Sequence, residues 1–517
     1  MKSPYTCFSC FSASGRRAIG LTAIGFGFAA LLPATQAQPS SQDCTGGNPS
    51  GQAWAPGHRP PQRHYHRPVW RKLAFPKLGE IAYHQDYDSV AWQQDIAQFD
   101  LAILNFYNGW DKSGLTIQQA VQDIKSYNPS ILLGNYTLPE SCPNSGNAAT
   151  LPEYDELAGQ VGPTGNGGTW TPNDWFARDN TGANLYDGSQ LVTNITAFVT
   201  PNSVGDRFPQ WYAKWEDSWC YSTTPQFDFI FSDDSFYQPR VDADWNRSGQ
   251  DYAPSDTIDG QTVASLYRQG MASYWAELNR LEPGMLIMGN PDGNSFNAVG
   301  YLRDPEYRYK IGAAVYEAAM GQPYSEESYA GWYLMMDSYQ TLLANTSRPH
   351  IVMLECAMTS NGLNADKGIQ ANYGGGQPYA FMRYALATAL MENGYFEADP
   401  NNYNQNPALW FDEYDLAGTA TTHWLGAAID PPQTGPYQNG IWMRRFQHGM
   451  ALVNPRTQAN LVDGNPVSNS TETVTIPRGY AHFQGTQDPI TNNGQPVTSI
   501  TLQPGDGVLL VKTGWAR

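Results

Sequence analysis

The sequence predicts a (β/α)8 (TIM) barrel followed by a small C-terminal antiparallel β-sandwich. Three observations support this: eight short apolar runs between residues 79 and 399, segments of helical periodicity between them, and alternating β-branched runs after about residue 437. Strands that are apolar on both faces and alternate with amphipathic helices indicate a parallel sheet covered by helices. Eight such units over roughly 320 residues have the size expected of a barrel with loop insertions.

The predicted strands are "GEIAYH" (79–84), "LAILNF" (101–106), "ILLGNY" (131–136), "FDFIFS" (227–232), "MLIMGN" (285–290), "GAAVYE" (312–317), "IVMLEC" (351–356) and "GYFEAD" (394–399). Helical segments such as 116–127, 263–281, 331–346 and 378–393 have apolar residues three and four positions apart. The alternative is an open doubly wound sheet, which usually has a Gly-rich phosphate turn after its first strand. Here "HQDYDSVAW" follows that strand, so the barrel is favoured.

The chain divides into four predicted segments. Residues 1–37 are a signal peptide, 38–70 a linker or extended arm, 71–436 the barrel and 437–517 the β-sandwich. A stretch of about 137–226, rich in Gly, Asn, Trp and Tyr, is predicted to be a long βα insertion over the C-terminal face of the barrel. Loops of that length are usually functional.

Export is predicted from the N-terminus. Basic Arg16 and Arg17 precede an apolar run and the small residues "ATQAQ", with cleavage expected after Ala37. The protein is therefore predicted to be secreted or periplasmic. Disulfides are permitted there, and Cys142 with Cys220 is the first candidate pair. Cys356, which follows a strand-like run, is expected to be a buried thiol.

Charge and residue spacing limit the partners. The net charge of −18 argues against nucleic acid and anionic membranes, because the long-range field repels them. No segment besides the N-terminal run approaches the length of a membrane span. Neither cysteines nor histidines have the spacing of a metal site. A polysaccharide or oligosaccharide substrate and no cofactor are therefore predicted, while the oligomeric state stays open.

Polar side chains end almost every predicted strand. In a barrel the active site lies at these C-terminal ends. The candidate site residues are Tyr83, His84, Asn105, Tyr107, Asn135, Asp233, Asp234, Asn290, Asp292, Glu317 and Glu355. Glycosidic cleavage requires one carboxyl group to protonate the leaving oxygen and another to attack the anomeric carbon or activate water. Amide and phenol groups would bind sugar hydroxyls.

Three carboxyls are the catalytic candidates. Asp233 and Glu355 are the predicted pair, in an order that the sequence leaves open, and Glu317 is the substitute on strand six. Asp234 is assigned to substrate binding with the amides, phenols and imidazole of the strand ends. Each acid also has a structural interpretation: Asp233 would cap a helix or pair with an arginine, and Asp234 would be solvated surface. Trp175 is a candidate for stacking on sugar, with core packing as the alternative.

A family resemblance supports the same chemistry. "FDFIFSDD" (227–234) resembles the strand-four signature of glycoside-hydrolase-like barrels. "HIVMLE", "YFEAD", "WFDEYDLAG" and "RRFQHGMALVNP" together are similar to the pattern of hypothetical glycosyl hydrolase family 15. The resemblance covers about 75–512 and implies a barrel followed by a β-sandwich. It also implies that Asp233 is the strand-four acid and Glu355 the strand-seven acid.

The sequence therefore predicts a secreted glycoside hydrolase. The main alternative is a non-catalytic carbohydrate-binding protein on the same barrel, since a rim of amides and aromatic rings would serve it equally. A weaker alternative is a metal-dependent hydrolase that uses Asp233, Asp234 and His84. The sugar, its linkage, the anomeric configuration and the mode of attack are not determined by the sequence.

Overall fold

The computed structural model describes residues 74–82, 87–106, 114–143, 175–188, 190–291, 307, 311–321, 325–357, 379–399, 409–455, 458–459, 466–467 and 470–515. The predicted signal peptide and linker lie outside these residues. The predicted boundary between the barrel and the sandwich, at residues 436 and 437, stays a prediction.

The helices follow the predicted periodicity. They are α1 (Val90–Ile96), α2 (Ile117–Tyr127), α3 (Phe208–Glu216, continued by a π turn at Asp217–Tyr221), α4 (Val263–Leu281), α5 (Glu326–Tyr329), α6 (Trp332–Asn345), α7 (Tyr379–Ala389) and α8 (Asp412–Asp415). Several begin at a side-chain cap. Thr262, for example, accepts a hydrogen bond from the Ser265 N–H, which satisfies one of the free amides at the start of α4.

The strands, in chain order, are β1 (Ala74–Phe75), β2 (Gly79–Ala82), β3 (Leu101–Leu104), β4 (Leu132–Thr137), β5 (Ser141–Pro143), β6 (Tyr186–Asp187), β7 (Gln190–Val192), β8 (Phe229–Ser232), β9 (Thr257–Ile258), β10 (Gln261–Thr262), β11 (Leu286–Gly289), β12 (Ala313–Met320), β13 (Ile351–Ala357), β14 (Tyr395–Asp399), β15 (Gly426–Ala427), β16 (Trp442–Arg445), β17 (Gly449–Asn454), β18 (Gln458–Ala459), β19 (Pro466–Val467), β20 (Glu472–His482), β21 (Pro496–Leu502) and β22 (Asp506–Lys512). Each of the eight predicted barrel strands coincides with one of them.

Eight strands form one parallel sheet in the order β2-β3-β4-β8-β11-β12-β13-β14. The sheet curls until its two edge strands meet. There, Leu78 and Phe396 form a parallel bridge, and the Phe396 N–H donates to the Lys77 carbonyl at 2.9 Å. The structure thus confirms the predicted curled parallel sheet, in which strands sequential in the chain are neighbours and one bridge joins the two edge strands.

Apolar side chains fill the interior of the barrel. They come from alternate positions of the strands, including Ile81, Ile103, Phe229, Met288 and Met353. Gly134 makes room for one of them, since a Cβ there would lie 2.1 Å from the Phe229 ring. The barrel is therefore a packed core whose open end lies at the C-terminal ends of its strands.

Two insertions leave that end and pack against each other. The first follows β4 and contains the three-stranded sheet β5-β7-β6. The second follows β8, and its residues Ala243, Trp245 and Ile258 share an apolar cluster with Ala177 and Val192 of the first. In its described residues, 137–143, 175–188 and 190–226, the predicted insertion therefore contains regular secondary structure next to the C-terminal end of β4.

The C-terminal strands form a five-stranded antiparallel sheet in the order β16-β17-β22-β20-β21. One of its faces carries its own apolar cluster, which includes Met450, Leu452 and Leu510. Helix α7 approaches β22 so closely that a Cβ at Gly507 would lie 2.4 Å from the Arg383 carbonyl oxygen. The antiparallel character is confirmed, while the second facing sheet of a sandwich stays a prediction.

The cysteine prediction was wrong in one respect. Cys220 is a free, buried thiol, so the predicted Cys142–Cys220 disulfide is not formed. Burial and the nearby Glu216 and Asp217 carboxylates raise the pKa of the Cys220 thiol well above its usual range. Cys356 is buried, as expected.

Across the described residues, no helix is both long and apolar enough to cross a membrane.

Candidate active site

The site lies at the open end of the barrel and follows from the alternation of the strands. On each strand, the residue two positions beyond the last interior apolar residue points into the barrel mouth. We call the described residues at these positions the mouth ring: Asn105, Asp233, Asn290, Glu317, Glu355 and Glu397. On β4, Tyr136 still packs against the interior cluster and is not counted in the ring. The ring therefore contains four carboxyl groups and two amides.

Asn290 joins two of these carboxyl groups. Its side-chain Nδ2 donates to Asp233 Oδ1 at 2.8 Å and to Glu317 Oε2 at 2.5 Å. Asn290 itself is buried, whereas Asp233 and Glu317 are half-buried. One amide thus holds two carboxyl groups from strand ends β8 and β12 side by side at the open end of the barrel.

The backbone around Asp233 is fixed by hydrogen bonds. The Asp233 N–H donates to the Thr137 carbonyl at 2.9 Å, and the Asn290 N–H donates to the Ser232 carbonyl at 3.1 Å. The Ser235 N–H returns a bond to the Asn290 carbonyl at 3.0 Å. These backbone hydrogen bonds continue the sheet past the ends of β4, β8 and β11. The sheet backbone therefore fixes the position of the carboxyl pair.

Asp234 follows Asp233 in the turn after β8. Its φ of 45° lies in the left-handed region, which Asp tolerates better than most residues. The carboxyl group lies 3.5 Å from an Arg240 nitrogen, and 21% of the side chain is exposed. Burial and the Asp233 carboxylate raise the pKa of Asp234 well above its usual range, and the Arg240 guanidinium partly offsets this increase.

Glu355 lies deeper than the bridged pair. Its side chain is 1% exposed, and it is in register with Glu397 on the neighbouring strand. Glu397 Oε1 accepts the Ile81 N–H at 2.6 Å, which links β14 to β2. Burial and the nearby Asp399 and Glu317 carboxylates raise the pKa of Glu397 well above its usual range.

The other predicted site residues lie in different places relative to the mouth. Asn105 is buried in the mouth ring, and its amide nitrogen has no hydrogen-bond partner among the described residues. Asn135 lies on the opposite face of β4 from Gly134 and Tyr136, and its Nδ2 donates to the Tyr136 carbonyl, so it does not face the mouth. Tyr83, His84, Tyr107 and Asp292 lie outside the described residues.

Two contributors to this region were not singled out from the sequence. Glu397 lies in the predicted strand 394–399 but is not among the candidate site residues, although its place two positions after interior Tyr395 was a usable signal. Arg240 had no signal, because it follows the strand by eight residues in an irregular segment. Trp175 is 1% exposed, and its ring packs against Trp211 in the core, which matches the structural interpretation.

The described residues contain no group of three or more His, Cys, Asp or Glu side chains that could hold a metal ion. The metal alternative required His84, which lies outside them. What the arrangement offers chemically is a pair of adjacent, half-buried carboxyl groups with a shared amide donor. Such a pair can donate a proton and attack or activate water.

The model of the family described as hypothetical glycosyl hydrolase family 15 matches residues 125–450. Every member of the mouth ring except Asn105 falls within that range. No curated protein matches the chain.

Solved structures with a likeness to the chain include the glycoside hydrolase domain of PelA from Pseudomonas aeruginosa, with 15% identity over 64% of this chain and 97% of that chain and a TM-score of 0.33. An α-amylase from Geobacillus thermoleovorans complexed with acarbose has 11% identity, coverages of 82% and 91%, and a TM-score of 0.41. Eubacterium rectale Amy13B has 8% identity, coverages of 85% and 97%, and a TM-score of 0.46.

Proposed function

Because this chain belongs to hypothetical glycosyl hydrolase family 15, we propose that it hydrolyses glycosidic bonds of a polysaccharide or oligosaccharide with Asp233 and Glu317 as its catalytic carboxyls. The observation that carries the proposal is the Asn290 amide, which bonds to both carboxyl groups. Glu317 takes the place that the sequence assigned to Glu355, because Glu355 is 1% exposed and Glu317 is half-buried.

The spacing of the pair favours retention of anomeric configuration. The two bonded oxygens share one nitrogen, so they are separated by no more than the sum of the two distances, about 5.3 Å. Retaining enzymes place their carboxyl groups about 5–5.5 Å apart, whereas inverting enzymes need about 6.5–9.5 Å to admit a water molecule. We therefore propose a double displacement through a covalent glycosyl–enzyme intermediate.

In the first step, one carboxyl group donates its proton to the glycosidic oxygen while the other attacks the anomeric carbon as a carboxylate. The bond to the leaving sugar breaks as the bond to the enzyme forms. In the second step, the first residue removes a proton from water, and the resulting attack at the anomeric carbon releases the carboxylate. Asn290 would hold both groups in place through these steps, and the Asn105 amide would bind a sugar hydroxyl on the opposite wall.

Export is part of the proposal. The basic and apolar N-terminal segment, residues 1–37, is the feature that supports it. A secreted or periplasmic enzyme would meet polysaccharides that do not enter the cell. Expression of the full chain in its host and detection of the mature N-terminus by mass spectrometry tests this part.

The catalytic assignment is tested by screening the purified chain on plant and microbial polysaccharides, with released sugars separated by chromatography. Asp233→Asn and Glu317→Gln should each lower kcat by at least about 1,000-fold, because each removes a group that acts in the transition state. Glu277→Gln, a change on α4 away from the mouth, is the matched control and should keep wild-type activity.

Other outcomes lead to different conclusions. If Glu355→Gln abolishes turnover and Glu317→Gln does not, the catalytic pair is Asp233 with Glu355. If the wild-type chain binds glycans but releases no sugar from any of them, the protein is a carbohydrate-binding protein. Azide added to the two inactive variants identifies the nucleophile, because it replaces that carboxylate and yields a glycosyl azide of inverted configuration.

A further inference from the structure

Arg240 contacts Asp187, Asp234 and Phe236 beside the proposed catalytic pair. Its Nη1 lies 2.8 Å from Asp187 Oδ2, and its Nη2 lies 3.5 Å from Asp234 Oδ1. The guanidinium carbon also lies 3.6 Å from the centroid of the Phe236 ring, within range of a cation–π interaction. The side chain is 31% exposed, so several contacts fix a group that remains accessible at the mouth.

The backbone explains how Arg240 reaches this place. The left-handed conformation of Asp234 turns the chain directly after the strand end, and the Phe236 N–H closes the turn on the Asp234 carbonyl at 2.8 Å. Phe236 is buried beneath the guanidinium. Because Asp187 belongs to the β6–β7 hairpin, Arg240 also connects the end of β8 to the insertion that follows β4.

Asp234 has negative neighbours on several elements. The titratable and charged groups that act on it are Asp233 at the end of β8, Glu140 after β4, Glu317 on β12, and Arg240; Tyr267 on α4 faces the same groups. All of the carboxyls in this set raise the pKa of Asp234, and Arg240 lowers it. Arg240 therefore supplies the positive charge among the groups that act on Asp234. Its other terminal nitrogen contacts Asp187.

We propose that Arg240 is a positioning residue of the catalytic site, which neutralises Asp234 next to Asp233 and ties this strand end to the β6–β7 hairpin. The inference rests on the proposed function, because it concerns the charge felt by the Asp233–Asn290–Glu317 group. An ionised Asp234 without its cation would oppose the ionisation of Asp233, the residue before it. Arg240 supplies a positive charge at this strand end, 3.5 Å from Asp234 Oδ1.

The proposal predicts opposite effects for the two partners. Removing the positive charge of Arg240 makes every surrounding carboxyl harder to ionise. Both limbs of the bell-shaped pH profile of kcat/KM, the acidic rise and the basic fall, therefore move to higher pH. Removing the negative charge of Asp234 makes Asp233 and Glu317 easier to ionise, so both limbs move to lower pH. A purely structural role would lower activity without displacing the limbs in opposite directions.

The experiment compares the pH profiles of the wild type, Arg240→Gln, Arg240→Lys and Asp234→Asn. We expect a rise of about half a pH unit in Arg240→Gln, a fall of similar size in Asp234→Asn, and a profile near wild type in Arg240→Lys, which keeps the charge. Arg445→Gln is the matched control. It also breaks an arginine–aspartate pair, with Asp430 at 2.7 Å, but on β16 of the C-terminal sheet, and it should not move the limbs.

A second measurement needs no substrate. The loss of thermal stability in Arg240→Gln should be larger at pH 8 than at pH 4, because the cation stabilises the surrounding carboxyls only when they are ionised. A loss that is equal at both pH values overturns the inference, and so do unchanged limbs in an active Arg240→Gln enzyme. If the wild type cleaves no glycan, the proposed function fails, while the stability comparison still decides whether Arg240 has this electrostatic role.

Discussion

The barrel holds two groups of carboxyls whose environments differ sharply. At the mouth, Asp233 and Glu317 are half-buried and share the Asn290 amide. At the seam between β14 and β2, Glu80, Glu397 and Asp399 are all at most 2% exposed. We call these three residues the seam cluster; Glu397 belongs both to this cluster and to the mouth ring. Glu397 and Asp399 lie at the C-terminal end of β14, whereas Glu80 is the second residue of β2.

The seam cluster has a structural use. Beyond the Leu78–Phe396 bridge, the Ile81 N–H bonds to the Glu397 carboxyl instead of to a strand carbonyl. Burial and the neighbouring carboxyls raise the pKa values of Glu80 and Glu397 well above their usual range. Both groups contain adjacent acids; they differ in exposure and in the shared Asn290 amide donor, and these differences are the reason for proposing catalysis at the mouth and a structural role at the seam.

The largest effect that separates the two groups is expected at Asn290. Asn290→Ala should lower kcat by about 100-fold, because it removes the donor that holds both proposed catalytic carboxyls. The melting temperature of the Asn290→Ala variant should stay close to that of the wild type. Kinetics at saturating substrate together with thermal melting provide the test. Wild-type kcat in Asn290→Ala would show that the bridge has no catalytic role.

The seam cluster should affect stability through pH. A carboxyl with a raised pKa keeps its proton in the folded chain after the unfolded chain has lost it, so the free energy of unfolding falls as pH rises above the ordinary value of 4.5. Glu397→Gln keeps the acceptor for Ile81 and removes this dependence. We expect its melting temperature at pH 8 to exceed that of the wild type by about 3 °C.

At pH 4 the two proteins should melt at nearly the same temperature, because the carboxyl is protonated in both states. Glu277→Gln is the control of opposite sign, since hydrogen bonding to Arg280 lowers the pKa of Glu277. It should be slightly less stable than the wild type at pH 8. Parallel melting curves for Glu397→Gln and the wild type from pH 4 to pH 8 would contradict the account of the seam.

The smallest effect is expected on the opposite wall of the mouth. The buried Asn105 amide has no described partner, so a substrate hydroxyl would satisfy it. Asn105→Ala should raise KM by about fivefold, which corresponds to one ordinary hydrogen bond of about 1 kcal/mol. The change in kcat should be much smaller. A KM equal to that of the wild type would place the sugar elsewhere in the mouth.

The strand pattern made much of the fold predictable. Runs such as 351–356 are apolar on both faces, and helical segments such as 263–281 have one apolar face, so burial in a helix-covered parallel sheet follows from composition and period. Cys142 and Cys220 showed where that reasoning ends. Both lie in sequence with loop character, and nothing local indicates that Cys220 is buried as a thiol after a π turn.

The candidate site was predictable in its residue types and only partly in its geometry. Asp233, Asn290 and Glu317 were all identified as strand ends, because polar residues that follow an apolar strand stand out in the sequence. The choice between Glu317 and Glu355 was not available there, since both end buried strands in the same way. Alternation alone would have excluded Asn135, which follows an interior glycine by one position.

The sequence by itself determined the eight strands, their helical crossovers and the acidic and amide side chains at their ends, because hydrophobic period and strand length are local properties. Only the tertiary structure decided which carboxyls meet. Closure of the barrel brings β8, β11 and β12 together so that Asn290 joins Asp233 to Glu317, and it brings β14 to β2 so that Glu397 bonds to Ile81. Distance, burial and shared hydrogen bonds between residues far apart in the chain exist only after the sheet has closed.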